Sequence, residues 1–238
     1  MRYTACVRKW LIGGAAAFVV VLAVVGGLYV LMNSRTYQLT GELVARVETD
    51  QKWVALTFDD GPTHRTPEVL RMLAELRVPA TFYLVGGDLA AHPEYGAAIA
   101  AAGHEIGNHS YSHRRMVLIS GDTVRSEIER TDTEIRRTGY QGPITFRPPY
   151  GKKLWSLPNY LAEHDRTTVT WDVEPDSAGG ASRDAIVADT LARTRPGSII
   201  LLHVMHGGES AAAVPEIVRG LRAQGYEFTT VSDLSSRR

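Results

Sequence analysis

The chain has 238 residues, 26 basic and 26 acidic, with no formal net charge and a single cysteine, Cys6. Without a dense basic cluster there is no face for nucleic acid, and one cysteine excludes an internal disulfide framework. The length suits one modest domain with an extra element in front of it.

That element comes first. From Trp10 to Met32 the sequence WLIGGAAAFVVVLAVVGGLYVLM carries no charge, and its 23 residues, as a helix, span roughly 30 Å of hydrocarbon. The reading is a transmembrane anchor at residues 10–32, behind a cytoplasmic flank at 1–9. A cleaved signal peptide competes with it, because Arg2, Arg8 and Lys9 make a positive start. The apolar run exceeds the usual length of about 7–15 residues, however, and the following NSRTYQ has no small-residue cleavage pattern. Basic residues ahead of the span favour an inside amino terminus, although Arg35 and Arg46 follow it. The expected location is therefore the cytoplasmic membrane, crossed once, with a spacer at 33–50 and a domain at 51–238 on the extracytoplasmic side. Cys6 would be a juxtamembrane thiol on the cytoplasmic flank.

Beyond the spacer, short β-rich runs alternate with helical ones. The expected strands are 53–58, 80–85, 104–108, 144–147, 167–171, 198–203 and 226–231. The expected helices are 67–77, 88–102, 121–138, 153–163, 182–194 and 211–224. Such alternation predicts an α/β fold with a mainly parallel sheet and right-handed crossovers. The soluble part is short for eight βα units, which need about 250 residues, so a barrel would have to be reduced or irregular.

Chemistry-bearing residues collect at the carboxyl ends of these strands, where open sheets and barrels keep their sites. The first strand ends in Asp59 and Asp60, followed by Gly61-Pro62. His109 and His113 are four apart, so a helical turn would put both imidazoles on one face. With Asp60 they make a two-imidazole, one-carboxylate set suited to zinc or another divalent ion, the ordinary alternative being two surface histidines. FRPPYG at 146–151 holds Arg147 and the Tyr150 amide in fixed directions through its consecutive prolines, unless it is simply a rigid turn. Asp172 and His203 end later strands and read as an orienting carboxylate with a proton-transferring imidazole. His64 follows the acids in a loop that could reach the pocket, whereas His206 reads as a solvent-exposed loop residue. His104, between Gly103 and a strand, reads as a structural imidazole.

TFDDGP, HSYSH, RPPYG, WDV and LLH stand in the order of the five motifs of the polysaccharide deacetylases, the NodB-like family of carbohydrate esterases, and the chain resembles that family from about residue 50 to 232. The resemblance implies a distorted (β/α)7 TIM-like barrel preceded here by one transmembrane helix. It implies Asp59 as the catalytic base, Arg147 as the residue that orients it, and Asp60, His109 and His113 as ligands of one divalent metal. Zinc is the first choice of metal, with cobalt, nickel or manganese as alternatives. It further implies the Tyr150 amide as oxyanion donor, His203 as general acid with Asp172 behind it, and Trp171, Leu201 and Pro148 around the acetyl pocket. The expected reaction is deacetylation of N-acetylglucosamine in peptidoglycan. Exported or chitin-like polysaccharide, or O-acetyl ester hydrolysis on xylan, are the alternatives. A wall-binding domain without activity would require a missing site residue, and none is missing. No obligate protein partner is expected. The fourth motif departs from the family: Asp176 fills part of its usual continuation, but Ala178 or Gly179 stands where an aromatic is frequent.

Overall fold

A computed structural model describes residues 2–177 and 180–237, with residues 2–13 and 15 as backbone alone. The side chain of Cys6 and the Ala178–Gly179 position lie outside the described residues. The first helix, α1 (Arg2–Asn33), includes a stretch, Ala16–Asn33, with mean hydropathy 2.3 and none of it buried. It is long and apolar enough to cross a membrane, a property it shares with signal sequences.

The expected spacer at 33–50 is part of the folded body. Leu43–Val44 forms β1, and Val44, Ala45 and Val47 are buried. Then come β2 (Trp53–Gly61), α2 (Thr66–Leu76), β3 (Thr81–Leu84), α3 (Gly86–Ala91), α4 (Pro93–Ala101) and β4 (Glu105–Asn108). The single helix expected at 88–102 is thus two helices, broken at His92 and restarted by Pro93 at the first turn, where its missing N–H costs nothing. After β4 come α5 (Gly121–Arg137), α6 (Ser156–Glu163), β5 (Thr168–Val169), α7 (Arg183–Arg193), β6 (Ile199–Leu202), α8 (Gly208–Ala223), β7 (Glu227–Thr229) and α9 (Val231–Ser236). The run at 144–147 is not a strand; its Phe146 makes single bridges to Asn108 and Thr168.

The strand ladders are parallel, in the order β4-β3-β2-β6, with β7 also on β2 and β1 paired with β5. Phe146 carries the sheet from β4 to β5, and a parallel bridge between Val173 and Ile200 carries it on to β6. This is a mixed α/β fold whose central parallel sheet curls in the manner of a distorted TIM-like barrel. Side chains alternate across it. Val54, Leu56, Phe58, Phe82, Leu84, Ile200 and Leu202 pack outward against the helices, while Ala55, Tyr83, Ile199 and Leu201 belong to an inner cluster with Val44, Val169 and Trp171. Thr57 and Asp59 share the inner face with Ala55, so polar groups enter the interior toward the carboxyl end of β2.

Candidate active site

Adjacent residues of a regular strand point to opposite faces, which would send Asp59 inward and Asp60 into the helical layer. The β2–β3 register breaks between Phe58 and Gly61, so that two residues of β2 oppose one of β3. At this bulge Asp60 turns into the left-handed region with φ 63°. Both carboxylates therefore face the same cleft of about 510 Å³. Ser110 (φ 65°), His113 (φ 53°) and Tyr150 (φ 59°) are also left-handed. Such backbone is unfavourable for residues other than glycine, and at Asp60, His113 and Tyr150 it occurs in the lining of the cleft, where it aims side chains.

His109 and His113 are not on a helical turn. The segment after β4 is a loop, and the left-handed residues bring the two rings to 5.0 Å of one another. His113 Nε2 stands 3.0 Å and His109 Nε2 3.5 Å from Asp60 Oδ1. That oxygen is buried and accepts no hydrogen bond, an unusual state for a carboxylate. The ligating atoms of Asp60, His109 and His113 lie within 4.8 Å of one another. His109 Nδ1 is 2.8 Å from the Arg147 carbonyl, which holds the ring with Nε2 turned to the cleft. An orphaned carboxylate oxygen facing two imidazole nitrogens fits a divalent cation, so the residues present suit the metal that the sequence implies. Burial alone would raise the Asp60 carboxyl, but the two histidines outweigh it and hold it far below the usual carboxylate range.

Asp59 also lies near His109, whose Nε2 is 3.6 Å from Oδ2, but its hydrogen bond is with another group. Arg147, fully buried, donates from Nη1 to Asp59 Oδ1 at 2.7 Å and to Thr57 Oγ1 at 2.8 Å, and from Nη2 to the Thr170 carbonyl at 3.1 Å. Its guanidinium lies 4.0 Å from the centre of the Tyr83 ring. A Cβ at residue 107 would stand 2.4 Å from that ring, so Gly107 permits the packing beneath it. Thr57 escaped the sequence reading, although its place two residues before Asp59 puts it on the same strand face.

Trp171, Leu201 and Tyr150 line the cleft, and His203 is half-buried among them. Pro148 and His64 do not line it: Pro148 is buried beneath the turn that carries Tyr150, and His64 is exposed on the loop after β2. His206, although exposed as expected, does reach the rim, with Nε2 3.9 Å from Asp60 Oδ2. His104 is buried and accepts from the Ala80 amide at 3.3 Å, a structural imidazole whose pKa burial lowers.

The carboxylate behind His203 is Asp176 and not Asp172. Asp176 Oδ1 is 3.2 Å from His203 Nδ1, and Oδ2 accepts from the His203 amide at 2.7 Å. The reason is register. Past Trp171 the chain makes a single parallel bridge, Val173 with Ile200, and residue 176 then comes beside 203, three positions further on in each segment. Asp172 then lies beside Ile199 at the other end of β6, accepting from Ser198 Oγ and the Ile199 amide at 2.9 Å each. Burial raises the Asp172 carboxyl. For His203 burial acts downward, but the hydrogen bond with Asp176 and the nearby charges of Asp59, Asp176 and Asp60 prevail and push the imidazole up to about 9.

The metal-ligand loop has a support outside the motifs. Glu127 of α5 is buried and accepts from the Tyr111 amide at 2.9 Å, and from the Ser112 amide and hydroxyl at 2.8 Å each. Groups that orient ligands typically control about 10–100-fold in metal affinity. Glu127→Gln, which sets an amide NH₂ against these donors, is therefore expected to weaken divalent-metal binding by about that factor in a chelator competition. Activity should return at higher metal concentration.

Two imidazoles and a carboxylate, with a second, guanidinium-paired carboxylate beside them at the strand ends of a parallel sheet, define a divalent-metal-dependent hydrolase. The polysaccharide deacetylase family model matches residues 46–169. A peptidoglycan-N-acetylglucosamine deacetylase of Bacillus cereus is 36% identical over 185 residues, covering 76% of this chain and 67% of that protein. The peptidoglycan-N-acetylmuramic acid deacetylase PdaC of Bacillus subtilis is 33% identical over 190 residues, 79% of this chain but 40% of that protein. The chain thus spans less than half the length of several curated relatives it matches. Among solved structures, the Bc1960 peptidoglycan N-acetylglucosamine deacetylase in complex with 4-naphthalen-1-yl-N-oxidanyl-benzamide superposes with a TM-score of 0.77 at 33% identity. That match covers 82% of this chain and 92% of the other. The chain belongs to the polysaccharide deacetylase family.

Proposed function

We propose that this protein hydrolyses the acetamido group of N-acetylglucosamine residues in peptidoglycan. The observation that carries the reading is the division of labour at the β2 bulge: Asp60 faces two imidazoles while its neighbour Asp59 faces a buried guanidinium. Asp60, His109 and His113 would hold a divalent cation, zinc being the first choice for that donor set, and when bound it would supply Lewis-acid chemistry, polarising the acyl oxygen and lowering the pKa of water. Asp59 takes a proton from the attacking water, and the Arg147 contact at 2.7 Å keeps its carboxylate aimed. The Tyr150 amide, at the exposed tip of its turn, donates to the oxygen that becomes negative, an interaction of about 3–4 kcal/mol where it has been measured. His203, backed by Asp176, gives its proton to the departing nitrogen. Amides require this last step because the unprotonated amine is a poor leaving group.

The same proposal places α1 in the cytoplasmic membrane at residues 10–32, with the catalytic part, 51–238, outside as a reduced (β/α)7 barrel. Residues 33–50 then act as a folded joint between the two. The test is release of acetate by the purified protein. Peptidoglycan is expected to react faster than chitooligosaccharides, and acetylxylan least; turnover of the xylan ester alone would overturn the amide reading. Elemental analysis of protein prepared without added metal is expected to return zinc.

A further inference from the structure

The expected spacer supplies a wall of the cleft. α1 ends at Asn33, and the next residues are fastened to the turn that follows Tyr150: the Lys153 amide donates to the Met32 carbonyl at 3.3 Å, Lys153 Nζ to the Ser34 carbonyl at 2.5 Å, and Lys152 Nζ to Asn33 Oδ1 at 2.5 Å. Lys153 is buried, which lowers its ammonium to about 8. Thr170 Oγ1 donates to the Arg35 carbonyl at 2.6 Å. With its backbone fixed in this way, Arg35 extends into the cleft beside Asp176 and His203.

The Arg35 guanidinium is held in two directions. It lies 4.8 Å from the centre of the Trp171 ring, and Nη2 is 2.5 Å from Glu174 Oε2. Glu174 is itself fixed, with Oε2 accepting from Trp171 Nε1 at 2.8 Å and Oε1 from Ser177 at 2.5 Å. Among the described residues nothing else hydrogen-bonds or ion-pairs with the Arg35 guanidinium, and the side chain is 45% exposed. A guanidinium stacked on an aromatic ring and clamped along one edge presents its other donors as a pre-organised fork, the geometry that suits a carboxylate.

We propose that Arg35 is a specificity-determining residue, the anion-reading part of a subsite for the sugar flanking the one deacetylated. The substrate it selects is a glycan whose neighbouring sugar bears a free carboxylate, as muramic acid does where its lactyl group carries no peptide, over a neutral N-acetylglucosamine polymer. The inference rests on the deacetylase reading above and adds a preference to it. Arg35 takes no part in the chemistry and acts on binding.

The test uses the full chain in detergent or bilayer, with a carboxylate-bearing peptidoglycan oligosaccharide and a neutral chitooligosaccharide of equal length. For Arg35→Ala, KM for the acidic glycan is expected to rise about tenfold with kcat held, while both constants for the neutral glycan stay within about twofold. Arg35→Lys should recover part of the loss, and added salt should narrow the preference of the unmodified chain. Equal losses on both glycans would make Arg35 a structural tether, and no loss on either would make it a bystander; both overturn the inference. Turnover of the neutral glycan without any preference for the acidic one removes the subsite and leaves the deacetylase reading standing, whereas turnover of neither removes that reading itself.

Discussion

Asp59→Asn is expected to lower acetate release by about 10²–10⁴-fold while leaving the bound metal in place, measured as turnover and metal content on the same preparation. The substituted amide keeps an oxygen where Arg147 Nη1 now meets Asp59 Oδ1 at 2.7 Å, so local geometry is largely retained. What disappears is the basic oxygen. Asp59 is not one of the three residues whose ligating atoms converge, and the metal site loses no donor. There is a stability penalty to separate from the catalytic one. Removing one charge of a buried pair costs about 3–5 kcal/mol, because the other is left without its counter-charge. Assays should therefore run well below the variant's own unfolding temperature.

Asp60→Asn offers the contrast, since it weakens the metal site itself and its activity should rise again with added metal. Rescue of Asp59→Asn by metal, or unchanged acetate release from it, would contradict the assignment of the two carboxylates.

The extent to which this site could be read in advance follows from the physics of each part. Asp59, Asp60, His109, His113 and Arg147 were legible because chemistry at strand ends needs particular residue types in a particular order. The meeting of Asp60 with both imidazoles is borne out, but the means was hidden: the histidines converge through left-handed backbone in a loop and not through a helical turn. Nothing in a residue's identity announces a positive φ at a serine or a histidine. The β2 bulge was hidden for a similar reason, since strand alternation is a rule about regular pairing and a bulge suspends it.

Long-range register was the other blind spot. Asp172 and Asp176 are both acids shortly after a strand, and only the Val173–Ile200 bridge decides which one reaches His203. The folded character of residues 33–50 also depended on partners remote in sequence, because β1 is two residues long and exists only by pairing with β5. Trp171, Leu201 and Pro148 were expected at the pocket from the family resemblance alone; Trp171 and Leu201 line the cleft, whereas Pro148 is buried and does not.

Asp176→Asn is expected to move the alkaline limb of kcat/KM toward lower pH, and Asp172→Asn to leave that limb where it is. The sign follows from the sources of the His203 shift. Burial lowers the imidazole, while the hydrogen bond and charge of Asp176, with the charges of Asp59 and Asp60, raise it to about 9 from an ordinary 6.5. An imidazole that must donate a proton works only while protonated, so the raised value extends the acid form of the unmodified enzyme toward alkaline pH. Deleting the Asp176 charge removes one raising influence while burial, acting downward, and the charges of Asp59 and Asp60, acting upward, remain, so the limb should move to lower pH, with reduced kcat/KM at pH 8. The limb is a macroscopic property of coupled groups, and the readout is its displacement between variants and not its absolute position. Asp172→Asn acts elsewhere. It weakens two hydrogen bonds at the start of β6, a loss expected to appear as about 1–3 kcal/mol of stability in a denaturant titration. A displaced limb in Asp172→Asn with an unmoved one in Asp176→Asn would restore Asp172 as the partner of His203. The opposite result would tie the acid step to the register of β6.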